Sequence, residues 1–462
     1  MLMTELKPTD VPPLGSNIER IVAIVELFAG DNQPRRTIDV ISGLGIAQAT
    51  GFGLIRAMVE ANLLEKTAHG MVRLGEQAKV LGFIPIGAYY TEVKAERNQV
   101  YRFNTQRSIP KQLEPSPTAW DQELLQRVNT QAFMRSGKAR IALLTASKAD
   151  LWRLALLRSI HYGIKLNEAK VEEFRVWDAG DDESVQCQQI DEALSEGFDV
   201  LLVSATPDDT GALSAALKGS LERGVAVVAV DRRPNDHDAY LSFVTASEAS
   251  IAKISARWMV EKIGYKGRIW MFSGIQGAST SIVRQAAALE EFTRYKDIQI
   301  EAVVYTDWDP IKGYEAVNSL LETWGNAPDG IWCDSGLQGI GAVQAFLDLG
   351  MQPPPHTGGD LNKMYKLCLD NRVPFSALDY PATMGAHSVD ILFQVLAGKE
   401  VPKRVEEPLT VVIPRGHETK TVKADELAEK HVRWNLPDDT ILSQGAVLEV
   451  STDEVEPPVE TS

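Results

Sequence analysis

The chain has 462 residues, 44% hydrophobic and 24% charged, and its 63 acidic against 47 basic side chains give a formal charge of −16. That composition excludes collagen-like, wholly disordered and disulfide-scaffold chains, and predicts roughly three globular units at about 150 residues each. It also excludes attachment to nucleic acid by overall charge; but residues 1–137 carry 15 basic and 14 acidic side chains, so a near-neutral module precedes an acidic body.

The N-terminus, MLMTELKPTDVPPLGSN, has no basic-then-apolar run and no small-residue cleavage site. No stretch reaches the ~18 apolar residues of a membrane span. Cys187, Cys333 and Cys368 lack metal-ligand spacing and read as buried free thiols. A cytoplasmic protein without metal or cofactor is expected.

Residues 16–82 open with Ile18, Ile21, Val22, Ile24, Val25 and Phe28 at helical spacing, behind Ser16 or Asn17 as N-cap. Thr37 starts a second short helix. After a turn at Gly43-Leu44-Gly45, a third runs from about Gln48 to Glu60. Leu63–Lys66 and Met71–Leu74 flank His69-Gly70 as two short strands. Three helices and a strand pair within about 60 residues predict a winged helix-turn-helix. The segments ERIVAIVELFA, TGFGLIRAMVEANLLEK and MVRLGEQAKVLG resemble the IclR family of winged-helix regulators. That resemblance implies DNA binding. Gln48 and Thr50 are the expected base-edge contacts, and Arg56, Lys66 and Arg73 the expected phosphate contacts. Gly51 and Gly53 in the third helix each cost roughly 1 kcal/mol relative to Ala, so a module used only for dimerisation or protein contact stays open.

Residues 83–137 read as a helical linker interrupted at Pro110–Pro117, with a further helix expected from Trp120 to Phe133. From 138 to 415, β-branched runs alternate with amphipathic segments. The predicted strands are Arg140–Thr145, Val171–Trp177, Val200–Ser204, Ala226–Asp231, Ser242–Val244, Arg268–Ser273, Ile298–Tyr305, Gly330–Cys333 and Phe375–Leu378. Such alternation predicts parallel sheets covered on both faces, in two lobes. Ligands of such sheets sit at the carboxyl ends of strands. The residues following the strands include Asp150, Trp152, Arg153, Ser204, Asp231, Arg232, Arg284, Trp308, Asp334, Ser335, Asp360 and Asp379. Indole faces with Arg and Asp hydrogen-bonding groups suit a ligand with hydroxyls on its edge and C–H groups on its face.

The segments RIALLTASKADLW, GVAVVAVDRR, SGIQGASTSIVRQAAALEEF, YTDWDPIKGYEAVNSLL, DGIWCDSGLQGIGAV and SALDYPATMGAHSVDIL resemble type I periplasmic binding proteins, most of all the ribose-binding group and the sensor domains of LacI-type repressors. The resemblance implies an α/β two-lobe fold. One lobe takes about 138–246 and 380–407, the other about 247–379 and 408–415. It also implies that the residues just named other than Ser204, which stands on its strand-end position alone, line the cleft. This chain departs from the family's asparagines at Asp150 and Ser335, and from its late glutamine at Asp379. Asp231-Arg232 could instead be a strand-end salt bridge, and Trp152 and Trp308 could be core. No nucleophile elbow, zinc motif or catalytic acid pair is present. Residues 416–462 read as an acidic tail, with a helix possible over Asp425–Trp434.

These features together predict a ligand-responsive transcription regulator, not an enzyme. It binds operator DNA as a homodimer and a small sugar or polyol between its lobes, away from membranes. The alternative is a solute-binding or signalling protein that contacts a protein partner without DNA.

Overall fold

A computed structural model describes residues 34–74 with short gaps, positions 21, 24, 27 and 28 before them, and residues 123–207 and 210–449. The expected caps Ser16 and Asn17, the tip His69-Gly70, the linker up to residue 122 and the tail beyond 449 lie outside the described residues. The chain forms two compact units, residues 1–98 and 99–462.

In the first unit, β1 (Arg35–Arg36) precedes α1 (Thr37–Gly43), α2 (Gln48–Glu60), β2 (Leu64–Lys66) and β3 (Met71–Leu74). The strands form one antiparallel sheet in the order β1-β3-β2. Its core joins Ile24, Phe28, Val40, Ile41, Ile55, Met58, Leu64 and Val72, the apolar positions of the predicted helices and strands. Gly51 has a packing role: a Cβ there would lie 2.7 Å from the Ile41 side chain, so α1 and α2 meet only because it is glycine.

In the second unit a helix is expected over Trp120–Phe133; of its described part, residues 123–125 are helical, and β4 (Arg127–Val128) and a short 3₁₀ turn at Gln131–Phe133 take the rest. Long-range pairing overrides helical periodicity here. Val128 pairs with Val401, and the Thr130 hydroxyl reaches the Val395 and Lys399 carbonyls.

The first lobe alternates β5 (Ala139–Thr145), α3 (Leu151–Leu166), β6 (Val171–Asp178), α4 (Glu183–Ser195), β7 (Val200–Val203), α5 (Ala212–Glu222), β8 (Ala226–Val230) and β9 (Ser242–Ala246). The chain crosses into the second lobe with α6 (Glu248–Lys262). There it alternates β10 (Gly267–Ser273), α7 (Ser279–Phe292), β11 (Ile298–Tyr305), α8 (Pro310–Trp324), β12 (Gly330–Cys333), α9 (Gly336–Asp348), β13 (His356–Thr357), α10 (Asn362–Asp370) and β14 (Phe375–Asp379). It returns with α11 (Met384–Leu396), β15 (Val401–Pro402) and β16 (Arg404–Glu407), then crosses again to β17 (Thr410–Ile413), β18 (Glu426–Leu427) and the turn α12 (Ala428–His431).

The six-stranded sheet β16-β9-β8-β7-β5-β6 is wholly parallel. The seven-stranded sheet β11-β10-β12-β13-β14-β17-β18 is parallel except where β17 runs antiparallel to β14, a departure from the all-parallel expectation. β17 arrives by a short connection from the other lobe, which leaves it no helix-length crossover to reverse direction. The central strands β7, β8 and β9 are buried along their whole length, which explains their continuous apolar runs.

The acidic tail expected from residue 416 is corrected by the structure as far as Glu449. Val422, Ala428, Val432, Ile441 and Leu442 are buried in the second unit, and Ile441 forms a bridge to Leu361. The sparse apolar residues of this segment are anchors, and only four residues of the expected Asp425–Trp434 helix are helical.

Candidate functional site

The strand ends of both lobes face one hollow with about 360 Å³ of free space, part of it open to solvent. Nine of the twelve expected residues line it: Asp150, Trp152, Arg153, Asp231, Arg232, Arg284, Trp308, Ser335 and Asp360. Thr280, Leu337 and Tyr380 complete the lining.

On the first lobe, Asp150 caps α3 by accepting from the Arg153 amide at 2.8 Å, which turns Trp152 and Arg153 toward the hollow. The Arg153 guanidinium pairs with Asp231 at 2.9 Å and donates to Ser204 at 2.8 Å. Ser204 in turn donates to Asp231 at 3.2 Å. Arg232 pairs with Asp181 at 2.8 Å and lies over the Trp308 ring at 5.2 Å, but its Nε is buried without a partner. Burial, followed by the nearby Arg153 charge, lowers the Arg232 pKa.

On the second lobe, Arg284 bonds the Glu248 carboxylate at 2.5 Å and the Asp334 carbonyl at 2.9 Å. Its guanidinium lies 4.5 Å from the centre of the Tyr380 ring. Tyr380 stacks on Trp152 with centroids 4.8 Å apart and accepts the indole N–H on its carbonyl at 2.9 Å. The Trp308 indole donates to Asp334 at 3.0 Å and rests against Gly274, where a Cβ would come within 1.9 Å of the ring. Asp360 accepts from the Tyr380 amide at 2.6 Å. Burial, then the neighbouring Asp379, pushes its carboxyl well above the usual carboxylate range. Asp231, Trp308 and Asp360 all adopt positive φ, at 62°, 55° and 78°.

Three expected contacts are corrected. Ser204 sits behind Arg153 and Asp231. Asp334 points back into the second lobe, accepting from Gly274 N, Gln338 and Trp308. Asp379 is turned toward Tyr365, His431 and the Asp360 amide. Side chains alternate at a strand end, so the next residue faces out: Ser335 after Asp334, Tyr380 after Asp379. Thr280 could have been found from Arg284, four residues on along the same helix face.

In the first unit, Arg56, Lys66 and Arg73 are exposed, Thr50 is half-buried, and the Gln48 side chain lies outside the described residues. Arg73 is paired with Glu65. Among the described residues, no group of His, Cys, Asp and Glu could hold a metal ion, and no helix is long and apolar enough to cross a membrane.

The ribose import binding protein RbsB of Bacillus subtilis is 25% identical over 237 residues, covering 50% of this chain and 74% of that protein. The xylitol-binding protein of Mycolicibacterium smegmatis is 26% identical over 189 residues, covering 40% of this chain and 52% of that protein. Among solved structures, a periplasmic solute-binding protein of Actinobacillus succinogenes with bound D-allose superposes with a TM-score of 0.54 at 19% identity, covering 60% of this chain and 98% of that one. A solute-binding protein of Bacillus halodurans with bound myo-inositol gives 0.56 at 17%, covering 61% and 97%. The matched proteins are binding proteins, not enzymes. They overturn the expected cytoplasmic location: import-binding and periplasmic proteins point to an extracytoplasmic place. Residues 157–400 match the periplasmic binding protein domain, more than half of the chain, so with its two lobes and the hollow between them the chain belongs to that family.

Proposed function

We propose that the hollow between the lobes binds one small sugar or polyol of monosaccharide size. The observation that carries this reading is the convergence of two indoles, one phenol, three guanidiniums and three carboxyls from both lobes on a single hollow. Aromatic faces cover the C–H side of a sugar ring, and the paired Arg and Asp groups meet its hydroxyls. A thermal-shift screen with D-ribose, xylitol, D-allose and myo-inositol tests it. A ligand at 100 times its Kd adds about 2.7 kcal/mol of apparent stability and raises the melting temperature. No shift with any polyhydroxylated compound sinks the reading.

For the first unit we propose a winged helix-turn-helix of the IclR type that carries the output to operator DNA as a homodimer, a role that requires this chain, unlike its periplasmic relatives, to work inside the cell. Support comes from α1, α2 and the β1-β3-β2 sheet in sequence, with Arg56 and Lys66 exposed. In a gel-shift with the promoter beside its own gene, Arg56→Ala is expected to weaken binding and reduce the salt slope by about one. An unchanged salt titration removes Arg56 from the interface. A second reading, contact with a protein partner in place of DNA, is favoured by Phe52, which is 48% exposed on α2, and by import-binding relatives. No gel-shift by a protein that still binds its sugar selects it.

A further inference from the structure

The segment after β17 is pinned beside the ligand-facing residues of the second lobe. Asn362, two positions after Asp360 and fully buried, grips it from both sides. Its side chain donates to the Arg433 carbonyl at 2.8 Å and the Pro437 carbonyl at 3.0 Å, and accepts from the Arg433 amide at 3.1 Å. Further on, the Leu442 amide donates to the Asp360 carbonyl at 2.7 Å, and the Ser443 carbonyl accepts from Ala382 at 3.1 Å. The segment thus touches both Asp360 and the crossing strand that carries Tyr380.

His431 stands at the centre of this contact. Its Nε2 lies 2.7 Å from Asp379 Oδ2 and its Nδ1 2.9 Å from Glu426 Oε2. The other Asp379 oxygen accepts from the Asp360 amide at 3.0 Å and from the Tyr365 hydroxyl. Tyr365 also meets the imidazole edge-on, with ring centroids 5.0 Å apart.

Resting on the proposed sugar site, we propose that residues 425–443 are part of that site, and that His431 is a positioning residue that fixes Asp379, and through it the backbone presenting Asp360 to the cleft. Asp360 sits at positive φ, a conformation a non-glycine residue keeps only when its surroundings hold it there. Asp379 from β14 and the Leu442 amide supply that hold on either side. An Asp379 carboxylate with no cation beside it, buried next to the Asp360 carboxyl, would repel it and release the loop.

The titratable groups facing His431 are Asp379 from β14, Glu426 from β18 and Tyr365 from α10, with Asp360 behind Asp379. Burial works against the imidazolium, but Asp379 and Glu426 outweigh it and raise its pKa to about 9. A raised folded value means that the contribution is complete below the ordinary histidine pKa of about 6.5 and is lost as pH rises through about 9.

The test uses the full chain with His431→Gln and the charge-keeping His431→Lys. It follows amide hydrogen exchange over residues 358–366, corrected for the intrinsic pH dependence of exchange, alongside calorimetry with D-ribose, xylitol, D-allose and myo-inositol. At pH 7 the Gln variant is expected to exchange about tenfold or more faster in that segment, and the Lys variant close to wild type. Wild type is expected to show the same rise as pH passes about 9, and the Gln variant no such step. Wild-type exchange in the Gln variant overturns the positioning role. So does a loss spread evenly over the unit that the Lys variant does not rescue. A loosened segment with unaltered sugar affinity overturns its link to the site. The expected exchange pattern with no sugar bound by any form sinks the sugar reading alone.

Discussion

Asp231→Ala is expected to destabilise the large unit by about 3–5 kcal/mol, the cost of removing one partner of a buried ion pair. The Arg153 side chain is 3% exposed and has its closest carboxylate in Asp231, so the deletion leaves a cation in a place water reaches poorly. Ser204 also loses the acceptor for its hydroxyl. Urea unfolding followed by far-UV circular dichroism measures the loss. Affinity for a sugar is expected to fall by about 1–3 kcal/mol as well, because a ligand hydroxyl is left unpaired. The double replacement Arg153→Met with Asp231→Leu separates the two effects. It removes both charges, so stability is expected to return to within about 1–2 kcal/mol of wild type while binding does not. A single variant as stable as wild type would mean that the pair is solvated and the hollow is open where the structure closes it.

Arg284→Met is the second large effect, and its sign depends on pH. Arg284 bonds Glu248 at the start of α6, where the chain crosses between lobes. Burial already pushes the Glu248 carboxyl above the usual range, with Arg284 opposing it. Without the guanidinium the carboxyl rises further. A group whose folded pKa lies above its unfolded value costs nothing while both states are protonated, and costs progressively more as pH climbs past the unfolded value of about 4.3. The variant is therefore expected to lose about 3 kcal/mol or more at pH 8 and markedly less at pH 4. Melting temperatures of both proteins across that interval check it, and a difference independent of pH would show that Glu248 is not the group left exposed to the loss. The same substitution removes the cation over the Tyr380 ring, so weaker sugar binding is expected at every pH.

Much of this site was legible in the sequence because strand ends are easy to find. The runs before Asp231 and Asp334-Ser335 are apolar and short, and a parallel sheet gathers their carboxyl ends at one edge. What the sequence hid was direction. Asp334 and Asp379 have the chemistry of ligand groups, yet Asp379 is the last residue of β14 and Asp334 the first after β12, both turned inward, and only the register of the sheet decides between neighbours. The segment after residue 415 was hidden for another reason. Its buried residues, from Val422 to Leu442, are scattered among charges with neither helical nor strand periodicity, because its regular elements, β18 and α12, are only two and four residues long and Asn362 and the Asp360 backbone hold much of the rest. The Trp120–Phe133 stretch shows the reverse error, since its periodicity suits a helix but Val128 pairs with a strand more than 270 residues later.

Asp231, Trp308 and Asp360 share a torsion angle that side chains other than glycine's seldom adopt. Each such residue costs of order 1 kcal/mol or more, which the surrounding fold must absorb. A library of variants sorted only for heat resistance would therefore drift toward glycine at these three places. The survivors would be sturdier proteins with an emptied hollow, and recognition would disappear first among the best folders.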